Sequence, residues 1–318
     1  MPTVSVLIPT YEPRPDHLHA ALDGLRAQTF GEWHAFIHDD ASTMDVRSLL
    51  EPYLGDPRIT FNRSERRLGI GGNWNACLKR ATGTYMQFLF QDDLWEPTYL
   101  EKCVEILERE PTVGFVAANH VYRYEDTVPN AGYDELQSLR RQLLIPGLQD
   151  RRAFLALWAE RGLHPNLIGE PSFVMLRRSL TEEVGLFDES MPQGLDLEYW
   201  VRCLLHSDWS YLEERLGEFR VHPGGASARH QTQGMGLFDR VRCLDLVMGK
   251  AQDRSVRHAA RRGMIHYLSR AAGRFLRHVS GGGGVGGATG MKQLLRLGGR
   301  HPLLMGRGLW RALVRHHS

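Results

Sequence analysis

Short apolar runs alternate with helical patterns along the first 124 residues of the chain. "VSVLIP" (4–9) is β-branched and stops at Pro9, which reads as a buried strand. Leu18, Leu22 and Leu25 then recur at helical spacing up to Gly31. "WHAFIHDD" (33–40) is a second strand, "STMDVRSLLEPYL" a helix and "RITFNR" (58–63) a third strand. "GGNWNACLKRAT" (71–82) predicts a helix, "YMQFLF" (85–90) a strand, 98–110 a helix and 113–124 a strand. Such alternation demands right-handed crossovers and a mostly parallel sheet flanked by helices, an α/β fold.

Sheets of this kind take ligands at the carboxyl ends of their strands. Pro9-Thr10-Tyr11, Asp39-Asp40 and Asp92-Asp93 all fall there. The last pair is the most demanding, because an apolar run, Met86 to Phe90, ends on two adjacent carboxylates. Like charges side by side repel, and desolvating either costs free energy. A divalent cation would compensate, since hard cations take oxygen ligands. The competing reading is an N-cap for helix 98–110. "HDDAST" (38–43) carries the same ambiguity: carboxylate acceptors for a base or ribose, or a cap for the next helix. Asp196 and Glu198 in "QGLDLEYWVR" are either a general base or acids at the positive end of a helix. His222 in "FRVHPGGAS" is a competent metal ligand or an ordinary histidine.

Other chemistries lack their motifs. The glycines of "RLGIGGNWN" follow the third strand and miss the G-x-G-x-x-G spacing, and no P-loop or G-x-S-x-G elbow occurs. The four cysteines are far apart, with no C-x-x-C, so neither a zinc site nor a disulfide framework is expected. No basic n-region precedes an apolar h-region at the start, and no run of about 18 apolar residues suggests a spanning helix.

Taken in order, the stretches "VSVLIPTYE", "LRAQTFGEWHAFIHDDAST", "RLGIGGNWNACLKRATGTYMQFLFQDD", "SLTEEVGLFDE", "GLDLEYWVR" and "FRVHPGGAS" resemble a family 2 glycosyltransferase of the GT-A fold. The resemblance spans roughly residues 3–227. It implies a Rossmann-like, mostly parallel sheet with a C-terminal helical extension, a nucleoside diphosphate sugar as donor and a divalent cation, Mn²⁺ or Mg²⁺. It implies an inverting transfer to an acceptor hydroxyl on a glycan or lipid-linked glycan, in polysaccharide or cell-envelope synthesis. Carried over by position, Pro9, Thr10 and Tyr11 line the nucleoside pocket, with Glu12 beside them among the donor contacts. Asp40 accepts a hydrogen bond from the base, and Arg67 and Asn73 are further donor contacts. Asp92 lies near the ribose, Asp93 and His222 hold the metal, and Asp196 is the catalytic base. Glu12, Gln91 and Leu195 depart from the usual Asn, Asp and Glu. Those departures keep a second reading open, a catalytically inactive nucleotide-sugar-binding or scaffold protein. A sugar-nucleotide pyrophosphorylase would need a Gly-rich basic loop after the first strand, which "PTYEPRPD" does not supply.

The second half is less regular. Residues 125–150 read as a loop, 151–162 as a helix, 171–180 as a strand running into a turn, 196–207 as a helix and 218–227 as a strand with a loop. The expected organisation is a catalytic domain over 1–227, a helical extension over 228–280, a Gly-rich linker over 281–290 and a basic amphipathic tail over 291–318. The net charge of +2 hides an asymmetry: residues 251–318 carry 13 Lys+Arg and one acid, so an acidic body bears a basic tail. Leu309, Trp310, Leu313 and Val314 form an apolar stripe beside Arg307, Arg311 and Arg315. This pattern suggests peripheral contact with an anionic membrane surface, or packing of the tail on the acidic body. Nucleic acid is not an expected partner, as no recognition motif accompanies the basic residues. The expected location is the cytoplasm or the cytoplasmic membrane face.

Overall fold

The computed structural model describes residues 3–125, 133–191, 193–222, 236–279 and 299–316. The "PGGAS" of 223–227, the start of the helical extension, the 281–290 linker and residues 291–298 of the tail lie outside the described residues. The chain divides into two compact units. One comprises Met1–Asp150, Leu167–Ser190 and Arg202–Pro223, and the other Arg151–Asn166, Met191–Val201 and Gly224–Ser318.

The first unit holds a nine-stranded mixed sheet of order β3-β2-β1-β4-β8-β6-β9-β5, with β7 also paired to β9. Strand β1 (Val4–Thr10) is buried at every position, as a strand covered on both faces must be. It pairs in parallel with β2 (Trp33–Asp39) and β4 (Tyr85–Phe88), and β2 pairs in parallel with β3 (Ile59–Arg63). Helix α1 (Pro15–Arg26) begins on a proline, which spares an N–H that would be unsatisfied anyway. It buries Leu18, Ala21, Leu22 and Leu25, one face at i, i+3, i+4 and i+7. Each such leucine contributes about 1.5–3 kcal/mol by leaving water. Helix α2 (Val46–Leu50) is capped by Asp45, whose side chain accepts from the Ser48 N–H. Helix α3 (Gly69–Leu78) lies against β1 and β2, and α4 (Tyr99–Arg109) against β6 (Val113–Tyr124).

The parallel alternation continues only so far. β8 (Val174–Arg177), which leads into α7 (Arg178–Val184), enters between β4 and β6 and runs antiparallel to both, whereas β9 (Asp208–Val221) is parallel to β6. The two-residue β5 (Leu94–Trp95) and β7 (Gly147–Gln149) pair antiparallel to β9. The span 125–150, expected as a loop, contains α5 (Tyr133–Leu143) and β7. Helix α5 buries only Leu136 and Arg140, too few positions for a visible apolar period. β9 starts ten residues before the expected strand, because "EER" (213–215) interrupts its apolar pattern and the β6–β9 register shifts nearby.

The second unit is helical: α6 (Arg151–Glu160), the start of α8 (Leu195–His206), α9 (Gly236–Lys250), α10 (Arg254–Val279) and α11 (Pro302–His316). Helix α10 approaches its neighbours through small residues. A Cβ on Gly263 would stand 2.0 Å from the Ala159 carbonyl oxygen, and one on Gly308 would stand 2.7 Å from Leu268 Cβ. A bidentate Arg262–Glu160 pair, 2.7 and 3.0 Å, ties α10 to α6.

Candidate functional site at the carboxyl edge of the sheet

Parallel register brings Thr10, Asp39 and Arg63 side by side at the ends of β1, β2 and β3. Asp39 is fully buried and accepts from Ser42, through its N–H at 3.1 Å and its hydroxyl at 2.5 Å. Asp40 accepts the N–H groups of Leu68 (2.5 Å) and Gly69 (2.9 Å), fixing the entry to α3. A carboxyl group has about four lone-pair sites, of which these two N–H groups fill one on each oxygen, and the Asp40 side chain is buried at 2% exposure. Neither Asp39 nor Asp40 caps α2, which uses Asp45 instead.

The residues expected to contact the sugar donor separate into two kinds. Pro9 and Thr10 are buried and shape the floor. Asn73 is also buried: its amide donates to the Thr10 carbonyl (3.1 Å), and its Oδ1 meets His38 Nδ1 (2.7 Å). Both ends of that side chain are engaged in holding α3 to the strand ends. Tyr11 and Arg67 face outward, with the guanidinium 4.0 Å from the ring centroid. Glu12 sits at φ 43° and accepts the Thr43 N–H at 2.6 Å. That bond holds its carboxyl below the usual range, and together with the Glu12 N–H, which donates to the Ser42 hydroxyl at 2.8 Å, it pins residues 42–43 to the end of β1. Gln91 has a role that a comparison of residue types hides. It accepts the Tyr11 N–H at 2.9 Å and donates to the Tyr11 carbonyl at 3.3 Å, joining the ends of β1 and β4.

The two adjacent carboxylates are not equivalent. Asp92 is part-exposed, and its Oδ2 lies 2.8 Å from His222 Nε2 at the end of β9. Asp93 is completely buried and turns the other way, where its Oδ1 meets the Arg220 N–H at 3.4 Å. Burial first, and then the neighbouring Asp92 charge, push the Asp93 carboxyl well up. Its Oδ2 is enclosed, and the Ser172 side chain is a neighbour that favours the charged form. The sequence reading placed Asp93 on the metal and Asp92 near the ribose. In the structure it is Asp92 that stands with His222, while a sealed Asp93 offers no open ligand position. Neither residue caps α4, whose N-cap is Thr98.

His17, in the first turn of α1, was missed. Its ring packs edge-on against His222 at 5.3 Å, and its Nε2 is 3.3 Å from Glu125, which is itself paired with Arg14. The only hint in the sequence is a histidine on the first turn after β1. Glu170 was missed as well. Both of its oxygens accept from the Tyr122 hydroxyl (3.1 Å), and His120 Nε2 lies 2.9 Å away. Burial opposes its charge, but His120 and Arg140 outweigh that and hold the carboxyl low.

In the second unit, Asp196 lies in the first turn of α8. Its Oδ2 accepts from Asn166 at 2.8 Å, and its Oδ1 faces the Leu197 N–H at 2.8 Å. Glu198 is buried. The approach to this turn is anchored by Asp239 of α9, which accepts the Gln193 N–H at 2.8 Å. A Cβ on Gly194 would lie 2.9 Å from Asp239 Cβ, so only glycine permits the approach. Burial raises the Asp239 carboxyl above its ordinary range. A raised folded-state pKa gives stability that is full below the unfolded value and is lost as pH rises through the folded one. Asp239→Asn therefore gains melting temperature relative to wild type at pH 7, and the gain shrinks toward pH 4. Thermal melts across that range check this; a pH-independent difference contradicts it.

Asp92 and His222 together offer one oxygen and one nitrogen, a pairing that Mn²⁺ accepts and Mg²⁺ tolerates less well. Among the described residues no group of three or more His, Cys, Asp or Glu side chains could hold an ion alone. The residues therefore fit a cation shared with a ligand that brings its own oxygens.

The glycosyl transferase family 2 model matches residues 5–185. The putative teichuronic acid biosynthesis glycosyltransferase TuaG of Bacillus subtilis is 37% identical over 119 residues, 36% of this chain and 46% of that protein. This chain thus spans less than half of that relative's length. Among solved structures, S. aureus TarS 1–349 in complex with UDP-GlcNAc aligns over 95% of this chain and 81% of its own, with TM-score 0.66 and 15% identity. The mannosyltransferase PcManGT from Pyrobaculum calidifontis, in complex with GDP-Man and Mn²⁺, aligns over 99% and 86%, with TM-score 0.59 and 19% identity. At these identities the likeness is one of fold, the GT-A type of transferase.

Proposed function

Because this chain belongs to the family 2 glycosyltransferases, we propose that it moves a sugar from a nucleoside diphosphate to an acceptor hydroxyl with inversion at the anomeric carbon. The observation that carries the reading is the pairing of Asp92 with His222 at the strand edge where Tyr11, Arg67 and Asp40 present acceptor, ring and cation groups. Tyr11 and Arg67 hold the nucleoside, and the remaining acceptor capacity of Asp40 reads the base. Asp92 and His222 hold a divalent cation together with the diphosphate; when bound, that cation neutralises charge on the leaving diphosphate. Asp93 serves the site from behind, as a buried carboxyl whose Oδ1 meets the Arg220 N–H.

Asp196 removes the proton from the acceptor hydroxyl as its oxygen attacks the anomeric carbon. The bond from that carbon to the diphosphate oxygen breaks, and the configuration inverts in one displacement. Asn166 holds Asp196 Oδ2 and keeps the carboxylate oriented. The test is incubation with UDP-, GDP- and dTDP-sugars, Mn²⁺ or Mg²⁺ and glycan or lipid-linked acceptors. The reading predicts metal-dependent donor consumption and a product of inverted configuration. A product with retained configuration sinks the single-displacement mechanism.

We assign the acceptor to a glycan or lipid-linked glycan and the tail to an anionic membrane surface. No helix among the described residues is long and apolar enough to cross a membrane. Helix α11 leaves Leu303 83% and Trp310 69% exposed beside Arg307, while His301 and Arg300 reach Asp245 on α9. Exposed apolar groups flanked by cations suit a headgroup boundary. A Leu303→Ser/Trp310→Ser variant is expected to lose about tenfold in co-sedimentation with phosphatidylglycerol vesicles. Equal binding of variant and wild type removes the membrane assignment.

A further inference from the structure

A cavity of about 500 Å³ opens on the α3 side of the sheet, over the β2–β3 edge. It is lined by His38 and Asn62 from the strands, Arg66 and Arg67 from the segment before α3, and Lys79 and Arg80 after the last turn of α3. Its lining does not include Thr10, Asp40, Asp92 or His222; of the sugar-donor candidates only Arg67 reaches it. Leu68 and Gly69 give their N–H groups to Asp40, which ties down the segment that carries Arg66 and Arg67.

Three features mark this cleft as built for an anion. First, four cations converge on it against one carboxylate, Glu189, and Glu189 is already held by Asn75 at 2.8 Å. Among the described residues no ion pair neutralises Arg66, Arg67, Lys79 or Arg80. Second, the α3 residues that line it, Gly72 and Ala76, are small and share one helical face with Lys79 and Arg80. A Cβ at Gly72 would come within 2.8 Å of Leu68 Cβ, so glycine keeps helix and segment close. Third, its lining holds no Phe, Tyr or Trp; the Tyr11 ring backs Arg67 at 4.0 Å and the Phe36 ring backs Arg80 at 5.3 Å, and the His38 imidazole is part of the wall. Guanidinium and ammonium groups are matched to phosphate.

We propose that this cleft binds a phosphate-bearing ligand, a diphosphate or phosphodiester, independently of the sugar donor's own diphosphate. Its volume falls in the range of small-molecule sites and holds a diphosphate with part of what it is attached to. The source of that ligand, a phosphate-linked acceptor, rests on the function proposed above; the anion binding itself does not.

The experiment titrates inorganic pyrophosphate, and separately geranyl diphosphate, calorimetrically into the full chain without added divalent cation. The samples are wild type, Lys79→Ala/Arg80→Ala, Arg66→Ala and Asp92→Ala. Lys79, Arg80 and Arg66 are exposed, so their removal leaves the fold intact. Cation-independent binding is expected in wild type and in Asp92→Ala. It weakens about tenfold in the double variant, with a smaller loss in Arg66→Ala. Tighter binding of geranyl diphosphate assigns the source to a lipid-linked diphosphate; equal affinity assigns it to the diphosphate group alone. No cation-independent binding in wild type, or unchanged affinity in the double variant, overturns the proposal. Metal-dependent UDP binding on the same samples separates the two readings. If it is absent while pyrophosphate still binds, the donor reading fails and this one stands.

Discussion

Asp92→Ala loses metal-dependent nucleotide binding and, with it, roughly 10²–10³-fold in transfer rate, a loss typical of removing one group that stabilises developing charge. The reason lies in the asymmetry of the two carboxylates. Asp92 is the one beside His222, at 2.8 Å, and it alone of the two is open to a ligand. Removing it leaves one nitrogen where an oxygen and a nitrogen stood. His222→Gln, which keeps a polar group of similar reach, weakens metal affinity about 10–100-fold. Asp93→Asn behaves differently. Its carboxyl is enclosed, and burial pushes it well up, so a neutral amide of the same shape replaces it with nucleotide binding retained. Binding isotherms of the three variants with and without Mn²⁺ decide the matter. Loss of binding in Asp93→Asn with retention in Asp92→Ala would reverse the assignment.

Asp196→Asn lowers kcat by roughly 10²–10⁴-fold while leaving nucleotide affinity unchanged, because the amide keeps the shape but cannot take a proton. Asn166 donates to Asp196 Oδ2, and that bond survives when the acceptor becomes an amide oxygen. A loss confined to kcat, with the donor's Kd intact, marks a group that acts on the acceptor. Equal loss of nucleotide binding would instead assign Asp196 to donor recognition. Full activity would move the base to another residue.

The first half of the fold could be read from the chain because its central strands are mostly apolar and buried and α1 and α4 each show an apolar face. β1 and α1 are the plainest cases, with all seven strand positions buried and Leu18, Leu22 and Leu25 inward. The elements that were hidden share a physical cause. β5 has two residues, β7 has three, and α5 buries only Leu136 and Arg140, so none carries a period. β8 lies antiparallel between β4 and β6, a choice set by sheet order and not by any local pattern.

At the site, the residue types at the strand ends pointed to one edge of the sheet, but their orientations could not be read. Asp92 and Asp93 lie in the turn between β4 and β5, where no strand alternation fixes their directions, so "DD" alone does not say which carboxylate is sealed. Gln91 stood out as a departure from the family pattern, yet it makes two hydrogen bonds to the Tyr11 backbone that no substitution table implies. Asn73 was expected at the donor and is spent on Thr10 and His38. Tertiary partners such as His17 beside His222 are set by which turns meet, and they leave almost no trace in a single sequence.

The central claim, that this edge binds a nucleoside diphosphate through a shared cation, is tested most directly by calorimetric titration of UDP, GDP and dTDP into wild-type protein. Each nucleotide is run with Mn²⁺ and with chelator. The account predicts saturable binding of at least one nucleotide in Mn²⁺ that collapses in chelator. Folded protein that binds none of the three in either condition would contradict it.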